Sequence, residues 1–216
     1  MPPALTTIDE RASQVAAEQR VLLSPVSWAT YEKLLADLAQ QSSIRLTYDQ
    51  GTLEIMSPLP EHEEYNRTLA LLVEVLAEER GIDVRNLGST TFRRENLARG
   101  FEPDSCFYIQ HEAQISGKTT IDLTVDPPPD LVIEVDITSR SLHKFPIYAH
   151  VGVPEIWRYN GQQVRISLLT ATGYQDSESS HALPLLTDAI LTDFLARSKV
   201  LKRTALLREF RAWIRQ

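Results

Sequence analysis

The chain has 216 residues, 43% of them hydrophobic, which is enough apolar sequence to build one full core. A formal net charge of −7 argues against a protein that coats nucleic acid through bulk electrostatics. No apolar run approaches the roughly 20 residues of a transmembrane helix, the N-terminal segment lacks a signal-peptide pattern, and a single cysteine, Cys106, excludes an internal disulfide framework. These features predict a cytoplasmic protein.

The N-terminal quarter predicts a lead, a helix and a hairpin. Residues 1–24 are weakly patterned and are expected to be flexible. Ser27 is a suitable N-cap, and the spaced apolar residues after it predict a helix to about Gln40. Two strand-like runs within residues 44–56 flank Asp49-Gln50-Gly51, which is typical of a β-hairpin.

A long helix is predicted next, because Pro60 opens the segment and Gly81 closes it. Steps of 100° per residue turn His62 toward the apolar stripe of this helix and leave Glu61 at its edge. His62 is therefore either a hydrogen-bonded core residue or, like Glu61, a polar group lent to a functional site. The stripe consists of Leu69, Leu72, Val73 and Leu76.

The middle of the chain alternates between strands and turns. Residues 110–129 are polar and end in prolines, so they predict a surface loop. Asn160-Gly161 predicts the turn of a second hairpin. We expect a mixed α/β domain over residues 25–197, with a central sheet flanked by helices. Its later strands are predicted at Val84–Leu87, Ser89–Arg93, Glu102–Ile109, Asp130–Ile137, Pro154–Tyr159 and Gln163–Leu169.

The C-terminal region predicts two helices, the first running from Leu185 or Asp188 to about Arg197. Residues 198–216 form a basic amphipathic helix in this interpretation. Residues 197–216 carry a charge of +6, which leaves −13 on the rest of the chain. The apolar stripe must be buried against its own domain or a partner subunit, and we expect a homodimer. The stripe consists of Val200, Leu207, Phe210 and Ile214.

The strand predicted at residues 130–137 is unusual because its two faces differ. One face is apolar, and the other carries Asp130, Glu134 and Asp136 around Val132. A carboxylate inside an apolar run is costly to desolvate unless a cation, a metal or several hydrogen-bond donors compensate it. Glu134 is therefore the first candidate for chemistry.

A second acid, Asp104, lies in the strand predicted upstream. Adjacent strands are about 4.8 Å apart, so Asp104 and Glu134 can share a divalent ion if the register allows. Asp130 is about 13 Å from Glu134 along an extended strand, which is too far for one ion, whereas Asp136 is within reach. Because no Cys/His cluster is present, Mg²⁺ or Mn²⁺ is expected rather than zinc.

Three sequence motifs carry a family resemblance: Glu-Pro-Asp at residues 102–104, Pro-Asp-Leu-Val-Ile-Glu-Val at 129–135 and Gly-Val-Pro-Glu-Ile-Trp at 152–157. Over roughly residues 28–194 the chain resembles the Uma-type family of bacterial restriction endonuclease-like proteins, a domain of unknown function in the PD-(D/E)XK nuclease superfamily. The resemblance implies a restriction-endonuclease-like fold and a Mg²⁺-dependent endonuclease that acts on nucleic acid, on DNA rather than RNA. It also implies that Asp104 and Glu134 are catalytic metal ligands.

The chain departs from the superfamily pattern at one position, because Asp136 stands where the standard lysine is expected, two residues after Glu134. Lys144 is a substitute. It follows Ser141, the predicted N-cap of a helix to about Val151, and the helix dipole disfavours a lysine in that first turn. The resemblance implies that Lys144 supplies the catalytic cation, and the alternative is a solvated surface lysine.

Two alternatives to a nuclease remain at this point. The first is a non-catalytic binding or assembly module that retains the nuclease fold. The second is a structural protein in which Glu134 pairs with a buried arginine such as Arg158. Nucleic-acid contact would need local basic patches, although such patches commonly serve solubility alone. The candidates are Arg93, Arg94 and Arg99, or Arg140 and Lys144.

Overall fold

The structure is a computed structural model that describes residues 19–41, 44–137 and 142–216. Within these ranges the chain forms two β-sheets and six α-helices, so the predicted mixed α/β class is confirmed. No helix in the described ranges is long and apolar enough to cross a membrane. In chain order the elements are β1 (Gln19–Leu23), α1 (Trp28–Asp37), β2 (Arg45–Asp49), β3 (Thr52–Ser57), α2 (Pro60–Arg80), β4 (Arg85–Asn86), β5 (Phe92–Arg94), β6 (Arg99–Phe101), β7 (Ser105–Tyr108), α3 (Glu112–Ile115), β8 (Leu131–Val135), α4 (Phe145–Val151), β9 (Glu155–Tyr159), β10 (Val164–Thr170), β11 (Gly173–Ser177), α5 (Asp188–Ser198) and α6 (Arg203–Ile214).

The first sheet has the antiparallel strand order β1-β3-β2-β6-β5. The predicted hairpin is its centre, and Gln50 and Gly51 form the turn with φ of 46° and 98°. Strand β1 lies inside the segment predicted as a flexible lead, while residues 1–18 fall outside the described ranges. The Ser27 hydroxyl caps α1 by accepting from Thr30 N at 3.1 Å, as predicted.

The two faces of the first sheet have different roles. One face packs on α1 through an apolar cluster. The other face is charged: the register aligns Arg20 of β1, Met56 of β3 and Arg45 of β2 in one row, and Glu54 lies in the next row. This charged face is turned toward the second sheet, because Arg20 and Arg45 contact acids there. The apolar cluster contains Tyr31, Leu46, Tyr48 and Leu53.

The second sheet has the order β11-β10-β9-β8-β7-β4, with β8 and β9 parallel and its other neighbouring pairs antiparallel. Its central strand β8 is buried on both faces. Leu131, Ile133 and Val135 join the main core under α2, α5 and α6. Val132 joins a second core with residues of α4. The face predicted to be acidic is therefore apolar at Val132, between Asp130 before the strand and Glu134 near its carboxyl end.

The basic C-terminal helix packs on its own domain. Leu206, Phe210 and Ile214 of α6 are buried against α2 and α5. Val200 was wrongly assigned to the buried stripe: it lies between α5 and α6 and is 82% exposed. Arginines of α6 pair with acids near the end of α2, so part of the basic face is neutralised within the domain. A homodimer stays a prediction.

Several predicted boundaries differ from the structure. Of the strand expected at 102–109 only β7, Ser105–Tyr108, is formed, and Glu102-Pro103-Asp104 connect it to β6; the C-terminal helix predicted at 198–216 is the shorter α6. The loop at 110–129 contains the short helix α3. Helix α4 begins at Phe145, which leaves Lys144 as the N-cap residue rather than in the first turn. The start at Phe145 suits Pro146, which is favoured in the first turn of a helix. The predicted cap Ser141 lies outside the described residues.

Candidate active site

Asp104 immediately precedes β7, and Glu134 lies on the neighbouring strand β8. Ser105 of β7 pairs with Ile133 of β8 in antiparallel register, and one further step places Asp104 opposite Glu134. Directly opposed residues project from the same face of a sheet. The two acids are also deeply buried, with exposures of 2% and 3%. The predicted adjacency of these two strands is confirmed.

Basic groups from two other elements hold Asp104. Arg45 of β2 donates to Oδ1, and His62 of α2 lies 2.8 Å from Oδ2. The amide of Val135 also donates to Oδ2, at 2.7 Å, and Asn66 holds the Asp104 carbonyl at 3.0 Å. Burial opposes ionisation of Asp104, but the hydrogen bond from His62 and the positive charge of Arg45 outweigh it and lower its pKa to about 2. Asp104 is therefore an anion at neutral pH.

Glu134 has a different environment. Lys144 Nζ donates to Oε2 at 2.8 Å, and the Tyr148 hydroxyl donates to Oε1. Burial raises the pKa of Glu134 to about 7; the charge of Lys144 opposes this rise, and the charges of Asp104 and Asp136 add to it. Burial disfavours the charge of Lys144 as well, but the facing carboxylates outweigh it and raise the pKa of Lys144. The lysine is thus a buried cation and not a solvated surface group.

A third carboxylate borders these two. Glu54 of β3 is 1% exposed and accepts a hydrogen bond from Leu142 N at 2.7 Å. The Arg20 guanidinium bridges Glu54 and Asp136, at 3.3 and 3.4 Å. Asp136, predicted to support a metal, is therefore bound to an arginine of β1. This group lies beside the loop that leads into Lys144.

Sequence reasoning missed Arg20, Arg45 and Glu54. A signal was present in the hairpin, where Arg45 and Glu54 alternate with apolar neighbours and so mark one face as charged. Alternation of charged and apolar residues alone is typical of a strand with one solvent-exposed face. Only the second sheet, which covers that face, turns these residues into buried partners of the acids.

Three other candidates lie away from this cluster or have different partners. Asp130 stands at the opposite end of β8 and accepts from two backbone amides. Glu61 accepts from the Tyr65 hydroxyl at 3.1 Å. Arg158 occupies the β9 position paired in register with Glu134, yet its guanidinium stacks 5.4 Å from the Phe145 ring. The structural alternative with a Glu134–Arg158 ion pair is therefore not realised.

The donor set fits a hard divalent cation. Asp104 and Glu134 offer carboxylate oxygens: Asp104 Oδ1 and both oxygens of Glu134 each have one hydrogen-bond partner and keep a lone pair, whereas Asp104 Oδ2 already has His62 and the Val135 amide. In the described ranges no three His, Cys, Asp or Glu side chains are grouped to hold an ion. An ion at this position would take two side-chain ligands and complete its shell with backbone carbonyls and water, as Mg²⁺ commonly does.

Among the comparisons with known proteins, the family profile agrees with the resemblance seen in the sequence. A solved structure from Anabaena variabilis ATCC 29413, described as "a putative nuclease belonging to DUF820", is 16% identical with a TM-score of 0.46, and the match covers 68% of this chain and 89% of that one. No curated protein matches the chain. The profile of the Uma2 family, described as "Putative restriction endonuclease", matches residues 28–197. Because this match covers most of the 216 residues, the chain belongs to the Uma2 family.

Proposed function

We propose that this protein is a metal-dependent endonuclease that hydrolyses phosphodiester bonds of nucleic acid, DNA rather than RNA, with Mg²⁺ or Mn²⁺ as cofactor. One observation carries the proposal: Asp104, which immediately precedes β7, and Glu134 of the adjacent strand β8 are both buried, and Lys144 Nζ lies 2.8 Å from Glu134. Membership of the Uma2 family supports the same reaction class.

In the proposed mechanism Asp104 and Glu134 hold the ion. A divalent ion bound there would polarise the phosphate and lower the pKa of a water molecule. Arg45 and His62 keep Asp104 ionised and oriented. Lys144, held against Glu134 and shielded from solvent, orients the attacking water or stabilises negative charge that develops on the phosphate.

The groups that hold Glu134 fix the orientation of its carboxylate. The Tyr148 hydroxyl and the Lys144 ammonium bind different oxygens of the carboxylate, so its plane is set from both sides. Both donors come from α4 or its N-cap, at positions four residues apart. One helix therefore orients this acid, which favours a reproducible geometry at the reacting centre.

The candidate phosphate-binding arginines differ in availability. Arg99 is buried and pairs with Asp49 at 2.8 Å, so it is a poor candidate for a phosphate contact. Arg93 is exposed on β5 and remains suitable, whereas Arg94 is tied to the Leu123 carbonyl at 2.6 Å. Arg140 lies outside the described residues.

A second candidate function is a nuclease-fold module that binds without cleaving. The charge pattern favours it, since Asp104, Glu134 and Asp136 each have a cationic side chain as partner already. Such internal neutralisation makes a metal electrostatically dispensable. The module would then bind a partner through the same surface.

Cleavage of circular DNA separates the two functions. The purified chain is incubated with supercoiled plasmid, single-stranded DNA and RNA in Mg²⁺, Mn²⁺ or EDTA. Nicking of the closed circle that needs the metal, is retained in Asp130→Asn and is lost in Glu134→Gln supports the endonuclease. Binding of nucleic acid by the chain without cleavage in either Mg²⁺ or Mn²⁺ supports the binding module and contradicts the endonuclease.

A further inference from the structure

We infer that Glu54 is a positioning residue for Lys144, with Arg20 as its counter-ion, so that the first sheet holds the segment leading into α4. The inference concerns contacts within this chain, and only its catalytic readout rests on the proposed function.

The first step is the contact between Glu54 and the backbone before α4. Leu142 N donates to Glu54 Oε2 at 2.7 Å, and Leu142 lies two residues before Lys144. A lysine side chain has many rotamers, and holding it in one position costs conformational entropy. Because Glu54 holds the Leu142 amide, the backbone just before Lys144 has fewer accessible conformations. The Cα atom of Lys144 is therefore held in a position from which the ammonium reaches Glu134.

The second step is the charge of Glu54. An ionised carboxylate with 1% exposure needs a cation to offset desolvation. Arg20 supplies it at 3.3 Å and also binds Asp136 at 3.4 Å. In the β1–β3 register Leu22 is opposite Glu54, so Arg20 is the diagonal neighbour on the same face.

The third step is that a structural role alone does not require this arrangement. The neighbours of Glu54 across the sheet are Leu22 and Thr47, neither of which needs a buried anion. Arg20 also precedes residue 28, where the match to the Uma2 family begins. Strand β1 therefore adds to the family domain a cation that reaches from outside the matched region into the site.

Amide hydrogen exchange tests the anchor directly. In Glu54→Ala the Leu142 amide is expected to exchange at least about tenfold faster, since a buried hydrogen bond to a carboxylate is lost. The amide of Ile133 in β8 is the internal reference for global opening. An unchanged rate at Leu142, or equal acceleration at Leu142 and Ile133, overturns the inference.

A pair of substitutions that removes both charges distinguishes loss of the anchor from misfolding. Arg20→Met alone leaves Glu54 without its cation and is expected to accelerate Leu142 exchange. Adding Glu54→Gln removes the charge but keeps an oxygen that accepts from Leu142, so the double variant should recover protection. Arg165→Met, which breaks the exposed pair with Asp176, is the matched control and should leave Leu142 unchanged. No recovery in the double variant contradicts the anchor.

The catalytic readout separates this inference from the proposed function. If the chain cleaves DNA, Glu54→Ala should lower kcat about tenfold or more with little change in KM, and Arg20→Met/Glu54→Gln should restore most of it. A chain that cleaves nothing but shows the exchange pattern disproves the proposed function and retains the anchor. A normal kcat in Glu54→Ala overturns the positioning role.

Discussion

Two pairs of buried acids occupy opposite ends of the second sheet, and they differ in what binds them. At one end Asp104 and Glu134 contact the side chains of Arg45, His62 and Lys144. At the other end Asp130 and Glu155 accept mostly from backbone amides and have no arginine or lysine partner within the described residues; the His111 ring contacts Asp130, and the Trp157 indole donates to Glu155. Asp130 accepts from residues 109 and 111, and Glu155 accepts from residues 181 and 182.

Burial does not distinguish the two pairs, since all four acids are almost fully enclosed. The donors do. Backbone amides belong to the fold and cannot leave without local unfolding, so Asp130 and Glu155 act as fixed caps on neighbouring segments. Charged side chains can change rotamer and release a carboxylate to a metal. We therefore propose that the end of the sheet with arginine and lysine partners is the chemical end.

The largest expected effect is on cleavage. Asp104→Asn and Glu134→Gln each remove one proposed metal ligand and should lower the cleavage rate by about a thousandfold or more. Asp130→Asn, at the other end of the sheet, should cleave at nearly the wild-type rate per folded molecule. Plasmid nicking assays on all three variants measure this contrast. Comparable losses in all three would mean that the two ends do not differ in function.

The next effect is on the free energy of unfolding, and here the larger loss is expected at the end of the sheet that contains Asp130 and Glu155. Glu155→Ala leaves the amides of residues 181 and 182 and the buried Trp157 indole without their acceptor, and it should lower the free energy of unfolding by about 3 kcal/mol. Glu134→Gln alone leaves Lys144 as a buried cation without its counter-ion, whereas Glu134→Gln combined with Lys144→Met removes both charges of the pair and should lower the free energy of unfolding by less than about 1 kcal/mol. Urea denaturation measures Glu155→Ala and the double variant. A larger loss for the double variant would reverse the comparison.

Lys144→Met tests the cation at the chemical end. We expect cleavage about a hundredfold slower, because the group that orients water or stabilises the developing charge is missing. Calorimetry should still detect divalent binding, since both carboxylates remain. Arg158→Met, which removes the neighbouring cation stacked on Phe145, is the matched control. Full turnover in Lys144→Met would remove the lysine hypothesis and turn attention to His143 or Arg140.

The smallest effect is a pH dependence. Glu134 has a pKa of about 7 in the folded protein, so a divalent ion must displace its proton at lower pH. Affinity for Mn²⁺ should rise about tenfold between pH 6 and pH 8 and then level off, because ionisation of Glu134 is then complete. Asp104, with its pKa of about 2, contributes no slope in this window. Isothermal titration at several pH values checks the curve, and a flat profile would contradict the link to Glu134.

Local patterns were enough to predict much of the architecture. Alternation and turn residues located the β2–β3 hairpin, and Pro60 and Gly81 marked the ends of α2. The inward direction of His62 followed from helical geometry alone. These features depend on residues a few positions apart, so the sequence carries them directly.

The candidate site could be predicted only in part, because several of its residues are far apart in the sequence. Asp104 and Glu134 stood out because each acid interrupts an apolar run, and their pairing needed only adjacent strands. Arg20 and Arg45 are far from them along the chain and carry no mark of burial. Their roles depend on packing between two sheets, which local periodicity does not encode.

By itself the sequence determined the α/β class, the central hairpin, the long helix and the two principal acids, because burial and backbone geometry repeat over short distances. The tertiary structure decided which acids have an arginine or lysine partner, separating Glu134, bound by Lys144, from Asp130 four residues away, which accepts from backbone amides and contacts His111. It also decided that the C-terminal helix covers α2 and that Lys144 is buried. Desolvation and charge pairing arise only when distant segments meet, and these interactions set the chemistry of the site.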